Sequence, residues 1–308
     1  MPRASHSAPS LDPQSFPADR FVLGGDDFAI DCRPGSPDAA GAHVMGILNV
    51  TPDSFSDGGQ YMTIEKAVSR AAEMLSEGAS IIDIGGESTR PEADPISKED
   101  ERDRVVPVID AISDEFPDAV LSVDTYKSDV ARAALAAGAD IVNDVTGLRH
   151  DPEIAEAAAD WKAPLMLMHS VGEPGGLTQP QEYDDVTAEV RDALTRAVET
   201  AEQAGVEQIV IDPGFGFGKS DADNLRLLNE VDELLTLNCP VLVGVSRKST
   251  IGNTLGTPET PAPVDERLYG SLGATAVAVM RGATIVRTHD VAPTVEMLNV
   301  LGATVRQR

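Results

Sequence analysis

Short apolar runs recur eight times along the chain, and each is followed by a longer stretch in which apolar residues return every three or four positions. The runs are HVMGILN (43–49), ASIIDIG (79–85), AVLSVD (119–124), ADIVND (139–144), PLMLMH (164–169), EQIVID (207–212), PVLVGVS (240–246) and ATIVRTH (283–289). They are dominated by Val, Ile, Leu and Met without strict polar alternation, the pattern of strands buried on both faces. In the intervening segment Thr63–Glu77, residues Ile64, Ala67, Val68, Ala71, Ala72 and Leu75 form an apolar stripe at helical spacing. Lys127–Ala137 and Tyr183–Ala204 read as helices too, and Gly78, Gly138 and Gly205 stand where a helix end needs a left-handed residue. Eight strand–helix units predict an α/β fold, a (β/α)8 TIM barrel, with a doubly wound open sheet as the alternative. Residues 1–20, rich in Ser, Pro and Asp, predict a flexible arm, and RFVLGGDDFAIDCR (20–33) a short β-hairpin over 21–33 that turns at Gly25–Asp27. The barrel begins at His43, so that 21–308 forms a single domain.

The 308-residue composition is that of a globular protein, 42% hydrophobic and 24% charged, with no apolar run long enough to cross a membrane. No secretory h-region is readable, and Cys32 and Cys239 are too few for a disulfide framework, which suggests a reducing cytoplasm. Charge changes the picture more. Acids outnumber bases 51 to 24, for a net charge of −27. That excess would repel nucleic acid and anionic membranes, and its scatter along the chain suggests adaptation to high salt, where screening relieves self-repulsion.

If the strands close into a barrel, chemistry belongs at their C-terminal ends, and polar residues stand there in every unit. Asn49 closes the first run, ESTRP follows the second, and Asp124, Asn143 and His169 close the next three. Asp212 with DPGFGFGK follows the sixth, SRKS the seventh and RTHD the eighth. Asp124, Asn143 and Asp212, converging with Lys248, offer donors and acceptors suited to a flat heterocycle with several N–H groups; the competing reading is an internal hydrogen-bonded cap. Lys248, Arg287 and His289 follow strands seven and eight, where barrel enzymes often hold phosphate. Asn49 neighbours strand eight on closure and could complete an anion pocket or hold hydrated Mg²⁺. DPGFGFGK lacks P-loop spacing; its glycines suit a tight turn beside a ligand, with Phe215 or Phe217 as an aromatic wall. TPDSFSDGG (51–59) and STRPEADPIS (88–97) suit mobile lids. His169 could be a general base but has no nucleophile beside it by motif and reads as structural, while Trp161 and the Met166–Met168 pair read as core.

MGILNVTPDSFSDGG, GASIIDIGGESTRP, SVDTYK, GADIVNDVTG, MLMHSVGEP, IDPGFGFGK, VGVSRKS and RTHD together resemble the dihydropteroate synthase family over residues 43–301. The resemblance implies condensation of 6-hydroxymethyl-dihydropterin diphosphate with 4-aminobenzoate, releasing diphosphate. It implies a pterin set of Asp124, Asn143, Asp212 and Lys248, and a diphosphate and Mg²⁺ set of Asn49, Arg287 and His289. Phe217, Lys248 and Ser249 would form the aminobenzoate side, with Phe55 and Thr89, Arg90 and Pro91 in the two lids. Asp124, Lys248, Arg287 and His289 would carry the chemistry, in a cytoplasmic homodimer. Two alternatives share parts of this set: a barrel transferring methyl groups from methyltetrahydrofolate to a corrinoid protein, and a non-catalytic pterin binder.

The salt reading has a direct consequence. The melting temperature should climb steadily between about 0.1 and 3 M KCl, beyond the point where screening is saturated for an ordinary protein. A flat thermal-denaturation series would mark the acidity as incidental.

Overall fold

The computed structural model describes residues 13–25, 28–34, 42–51, 59–87, 94–177 and 179–305. Phe55, Thr89, Arg90 and Pro91 therefore lie outside the described residues. A 3-10 turn, Pro13–Ser15, leads into helix α1, Ala18–Phe21, and a two-stranded antiparallel ribbon, β1 (Val22–Gly24) and β2 (Ala29–Asp31). The stretch from Pro13 to Arg20, expected within the arm, is thus folded onto the body: Phe16 and Phe21 pack at 4.9 Å between ring centroids, and Arg20 pairs with Glu202 at 2.6 Å.

Eight parallel strands follow, with helices between them: β3 (His43–Asn49), α2 (Gly59–Ser76), β4 (Ile81–Gly85), α3 (Lys98–Glu115), β5 (Leu121–Asp124), α4 (Ser128–Ala136), β6 (Ile141–Asp144) and α5 (Glu153–Trp161). Then come β7 (Leu165–Met168), α6 (Val186–Gln203), β8 (Ile209–Asp212), α7 (Asp221–Asn229), β9 (Leu242–Val243), α8 (Ser249–Leu255), α9 (Leu268–Met280), β10 (Ile285–Thr288) and α10 (Val291–Val305). Each strand pairs with its sequence neighbour, β10 returns to β3, and a single bridge between Ile211 and Val241 joins β8 to the β9 run. The sheet closes, so the fold is the (β/α)8 barrel and not the open alternative. The seventh strand is shorter than its apolar run. Beyond Val243 the chain leaves the ladder and brings Ser246 to within 3.1 Å of His289 Nδ1.

Helix ends follow the sequence signals. Gly78, Gly138 and Gly205 have φ of +99°, +105° and +95°, the conformation a helix-terminating residue takes without a Cβ penalty. Ser97 caps α3 by accepting from the Asp100 amide at 3.0 Å, and Asp185 caps α6. Trp161, expected in the core, is 51% exposed. It is the last residue of α5, whose buried side chains are Ile154, Ala155, Ala157 and Ala158, and left-handed Lys162 turns the chain immediately after it. Met166 and Met168 are buried as expected.

The barrel interior has a dry base and a polar top. Met45, Ile81, Val120, Ile141, Met166, Val210, Leu242 and Ile285, one from each strand run, pack with Leu23, Ile30 and Cys32 of the N-terminal ribbon, which plugs the base. Two hydrogen bonds between Gly24 and the Gln208 side chain, 2.7 and 2.9 Å, hold the plug, and His43 Nε2 lies 3.1 Å from the Asp31 carbonyl. Because side chains on a strand repeat every second residue, the next inward positions are Asp83, Ser122, Asn143, Asp212 and Arg287. One step of the pleat takes the interior from hydrocarbon to charge.

Leu23→Ala tests the plug. It removes a fully buried side chain from the base layer and should cost about 3 kcal/mol in urea unfolding, the usual loss for a buried Leu→Ala change. A loss below about 1 kcal/mol would mean the ribbon only rests against the barrel.

Candidate functional site

The polar layer is built around Arg287. Its Nε donates to Asp83 Oδ2 at 2.6 Å and its Nη2 to Asp124 Oδ2 at 2.7 Å, so one guanidinium from β10 braces β4 and β5 across the lumen. Asp83 Oδ2 also accepts from Asn143 Nδ2 at 3.2 Å, while its Oδ1 is buried with no hydrogen-bond partner. Asp83 thereby links two of the expected site residues and was itself missed by the sequence reading. The signal was present: an acid in the middle of the apolar run IIDIG must be paid for by a buried partner.

Burial pushes the Asp124 carboxyl up to about 7, against the pull of Arg287 and with added repulsion from Asp83. Burial alone would lower the Arg287 guanidinium, but Asp83 and Asp124 outweigh it and hold the group above its ordinary value. Asp212 is raised by burial, with Lys248 and the Gly214 amide (2.7 Å to Oδ1) working in the opposite direction. Lys248 is lowered to about 8 by burial, partly restored by Asp212. Three carboxylates, Asp83, Asp124 and Asp212, thus share one mouth with Lys219, Lys248 and Arg287, in mutual electrostatic contact.

Lys248 is the residue before α8, and its ammonium lies 4.3 Å from the centroid of the Phe217 ring and donates to the Phe215 carbonyl. Phe217 is buried among Tyr126, Val145, Met168 and Leu177, whereas Phe215 points into the main core. Of the two candidate wall residues, Phe217 is therefore the one at the site. Ser249, exposed, is the first residue of α8, adjacent to Lys248. His289 is held through Nδ1 by Ser246, whose hydroxyl also accepts from the His289 amide at 3.3 Å. Asn49 ends β3 at the register position opposite Gly85, half-buried at the rim. His169 sits beside the mouth, its Nδ1 buried without a partner, and burial lowers its pKa to about 3, reinforced by Lys219 and Arg149. A histidine held neutral this firmly is a poor general base at physiological pH.

A second charged cluster stands at the foot of the ESTRP segment. Lys127 donates to Glu87 at 2.5 Å and to the nearly fully buried Glu101, and Tyr126 Oη donates to Glu87 at 2.5 Å. Glu87, the first residue of ESTRP, is thereby tied to α3 through Glu101 and to the start of α4 through Lys127. Neither Lys127 nor Glu101 was singled out from the sequence. Nothing in the spacing of two residues 26 positions apart announces an ion pair.

The comparisons with known proteins agree on one family. Residues 45–289 match the family described as pterin binding enzyme. The chain is 47% identical over 271 residues to the dihydropteroate synthase of Escherichia coli, covering 87% of this chain and 94% of that protein. It is 49% identical over 262 residues to a probable bifunctional folylpolyglutamate synthase/dihydropteroate synthase of Haloferax volcanii, where the match covers 84% of this chain but only 30% of that protein's length. Among solved structures, Xanthomonas albilineans dihydropteroate synthase with 4-aminobenzoic acid superposes with a TM-score of 0.83 at 43% identity, covering 93% of this chain and 98% of that one.

Asp83→Asn tests the brace. It preserves shape while leaving Arg287 with Asp124 as its only carboxylate, and should cost about 3 kcal/mol in equilibrium unfolding, the scale for removing one partner of a buried pair. A loss below about 1 kcal/mol would show that Asp124 alone suffices to hold the guanidinium.

Proposed function

The chain belongs to the pterin-binding enzyme family, and from that premise we infer that it is a dihydropteroate synthase, a transferase joining 6-hydroxymethyl-dihydropterin diphosphate to 4-aminobenzoate with release of diphosphate. The observation that carries the reading is the convergence of Arg287, Asp124, Asn143, Asp212 and Lys248 at the barrel mouth.

In this reading the pterin lies in the mouth, with Asp124 and Asp212 accepting its N–H groups and Asn143 and Lys248 supplying donors. The C–O bond to diphosphate breaks first, and the carboxylates beneath the ring stabilise the positive charge left on the pterin methylene. Neither ion pair of Arg287 uses its Nη1, which leaves a cationic edge for the departing diphosphate, with His289 beside it. The aromatic amine, lying against Phe217 with Lys248 and Ser249 near its carboxylate, captures the cation. The C–N bond forms, and the amine gives up one N–H proton to solvent or to the departing diphosphate. An arylamine is already unprotonated at neutral pH, so the neutral, buried His169 is not required as a base.

Asn49 would be the protein ligand for Mg²⁺. No cluster of three or more His, Cys, Asp or Glu that could cage a metal occurs among the described residues. A single amide oxygen at the rim fits an ion that keeps several waters and takes its other ligands from substrate phosphate. Bound there, Mg²⁺ would neutralise diphosphate charge.

A homodimer has physical support in α9. Tyr269, Gly273, Val277 and Met280 are exposed along one face of that helix, and none is charged. In a chain of −27 this is a surface on which a second copy can approach without like-charge contact, and two-fold pairing sets such a patch against itself. Buried free thiols at Cys32 and Cys239 suit the reducing cytoplasm, and the acid excess suits a high-salt cell.

Incubation of the purified protein with both substrates and Mg²⁺ in molar KCl, followed by diphosphate release and chromatography of the product, tests the function. Diphosphate and dihydropteroate should appear in equal amounts; no product would favour the non-catalytic binder, and methyl transfer from methyltetrahydrofolate the corrinoid-linked reading. Asp124→Asn should lower kcat/KM for the pterin substrate by about 30-fold, or about 2 kcal/mol of transition-state stabilisation. Near wild-type kcat/KM would remove Asp124 from the site.

A further inference from the structure

Lys219 is a lysine with no use in the reaction just described, yet it is 4% exposed and closes the glycine-rich turn beside the site. Its Nζ donates to the carbonyls of Phe217 at 2.8 Å, Gly214 at 2.9 Å and His169 at 3.3 Å. An ammonium has three donors and all three are used, so Lys219 has none left for a substrate.

The turn is shaped to wrap this cation. Gly214, Gly216 and Gly218 alternate in the left-handed region at φ of +69°, +82° and +65°, which rotates successive carbonyls to opposite sides of the loop. The Gly214 and Phe217 carbonyls turn inward to Lys219, while the Phe215 carbonyl turns outward to Lys248. A Cβ at position 214 would lie 1.8 Å from the His169 carbonyl oxygen, and one at 216 would lie 2.8 Å from Lys248 Cδ. The two lysines therefore clamp one loop from both sides, and Phe217, between them, is fixed with its face to Lys248.

We propose that Lys219 is a positioning residue of the condensation, an internal cation around which residues 214–217 and the His169 carbonyl close, setting Phe217 as the surface on which the aromatic amine lies. The proposal rests on the reading of Phe217 and Lys248 as the aminobenzoate side. A side chain without donors at 219 leaves the His169 and Phe217 carbonyls with no donor among the described residues and Gly214 with the Phe217 amide alone, and the loop relaxes away from that arrangement. Burial lowers the Lys219 ammonium to about 7, with Asp212 pulling it back and Lys248 adding to the lowering, and the cage carbonyls are what its N–H groups meet there.

The test compares Lys219→Met, Phe217→Leu and the double variant. In Lys219→Met, KM for 4-aminobenzoate should rise about tenfold, while the affinity for 6-hydroxymethylpterin, measured by calorimetry, should change by less than about twofold. The double variant should be no worse in aminobenzoate KM than Phe217→Leu alone, because Lys219 acts through that ring. Additive losses, or equal damage to both substrates, would make Lys219 a general structural residue and overturn the proposal. If Phe217→Leu itself leaves aminobenzoate KM unchanged, it is the wall reading that fails; if Phe217→Leu raises KM and Lys219→Met does not, only the positioning role fails. Should Lys219→Met not fold, Lys219→Leu, likewise without a donor, carries the same comparison. Failure of both to fold would make Lys219 a folding requirement, and the proposal would be wrong.

Discussion

A guanidinium inside a barrel is the constraint on which the rest of this site depends. Arg287 stands one pleat above a layer of hydrocarbon, where an isolated cation is prohibitively costly. Asp83 and Asp124 make it tolerable, and once they are present the remaining polar positions follow. Asp83 must take a second donor, which fixes Asn143. Asp124 is left only partly compensated: burial raises it to about 7, and N–H groups brought by a ligand would favour its ionised form. The site is better described as a balanced set of charges awaiting a ligand than as a pocket with residues around it.

The architecture was legible in the sequence because both periodicities were clean. Eight apolar runs with polar C-terminal ends specify a parallel barrel almost by themselves, and the positions of Asp124, Asn143, Asp212 and Arg287 at its mouth follow from the pleat. What was not legible was pairing across the lumen. Asp83 lies in the same apolar run as Ile82 and Ile84, and only closure of the sheet shows that it faces Arg287, 204 residues away. Lys219 was visible as the end of a glycine-rich turn, but its role depends on where three carbonyls point, a matter of backbone torsion and not of residue type. Trp161 shows the opposite failure: its chemistry suggested the core, but it falls at the very end of α5, where it is 51% exposed.

Charge is segregated on a second scale. The chain has six lysines, and Lys127, Lys219 and Lys248 lie at the top of the barrel, each withdrawn from full solvent exposure. Acids occupy the helical exterior, as in the first turn of α3, where exposed Glu99 and Asp100 follow one another. A diphosphate or carboxylate ligand thus meets a repulsive field at long range and an attractive one only within the mouth. Screening shortens the first without reaching the second, since enclosed pairs are little affected by ions in solution.

The plug at the base of the barrel bears on how the chain assembles. The ribbon is made early in the sequence, yet the side chain that pins Gly24 belongs to Gln208, 184 residues later, and the layer it covers draws on every strand through Ile285. Its docking is therefore a late event, since contacts of such sequence separation are closed only after the entropy of the intervening loop has been lost. Until β10 is in place, the floor that Leu23, Ile30 and Cys32 cover is incomplete. A nascent chain stalled short of its last unit would carry an open, apolar barrel floor and an unattached ribbon, a species for chaperones to hold.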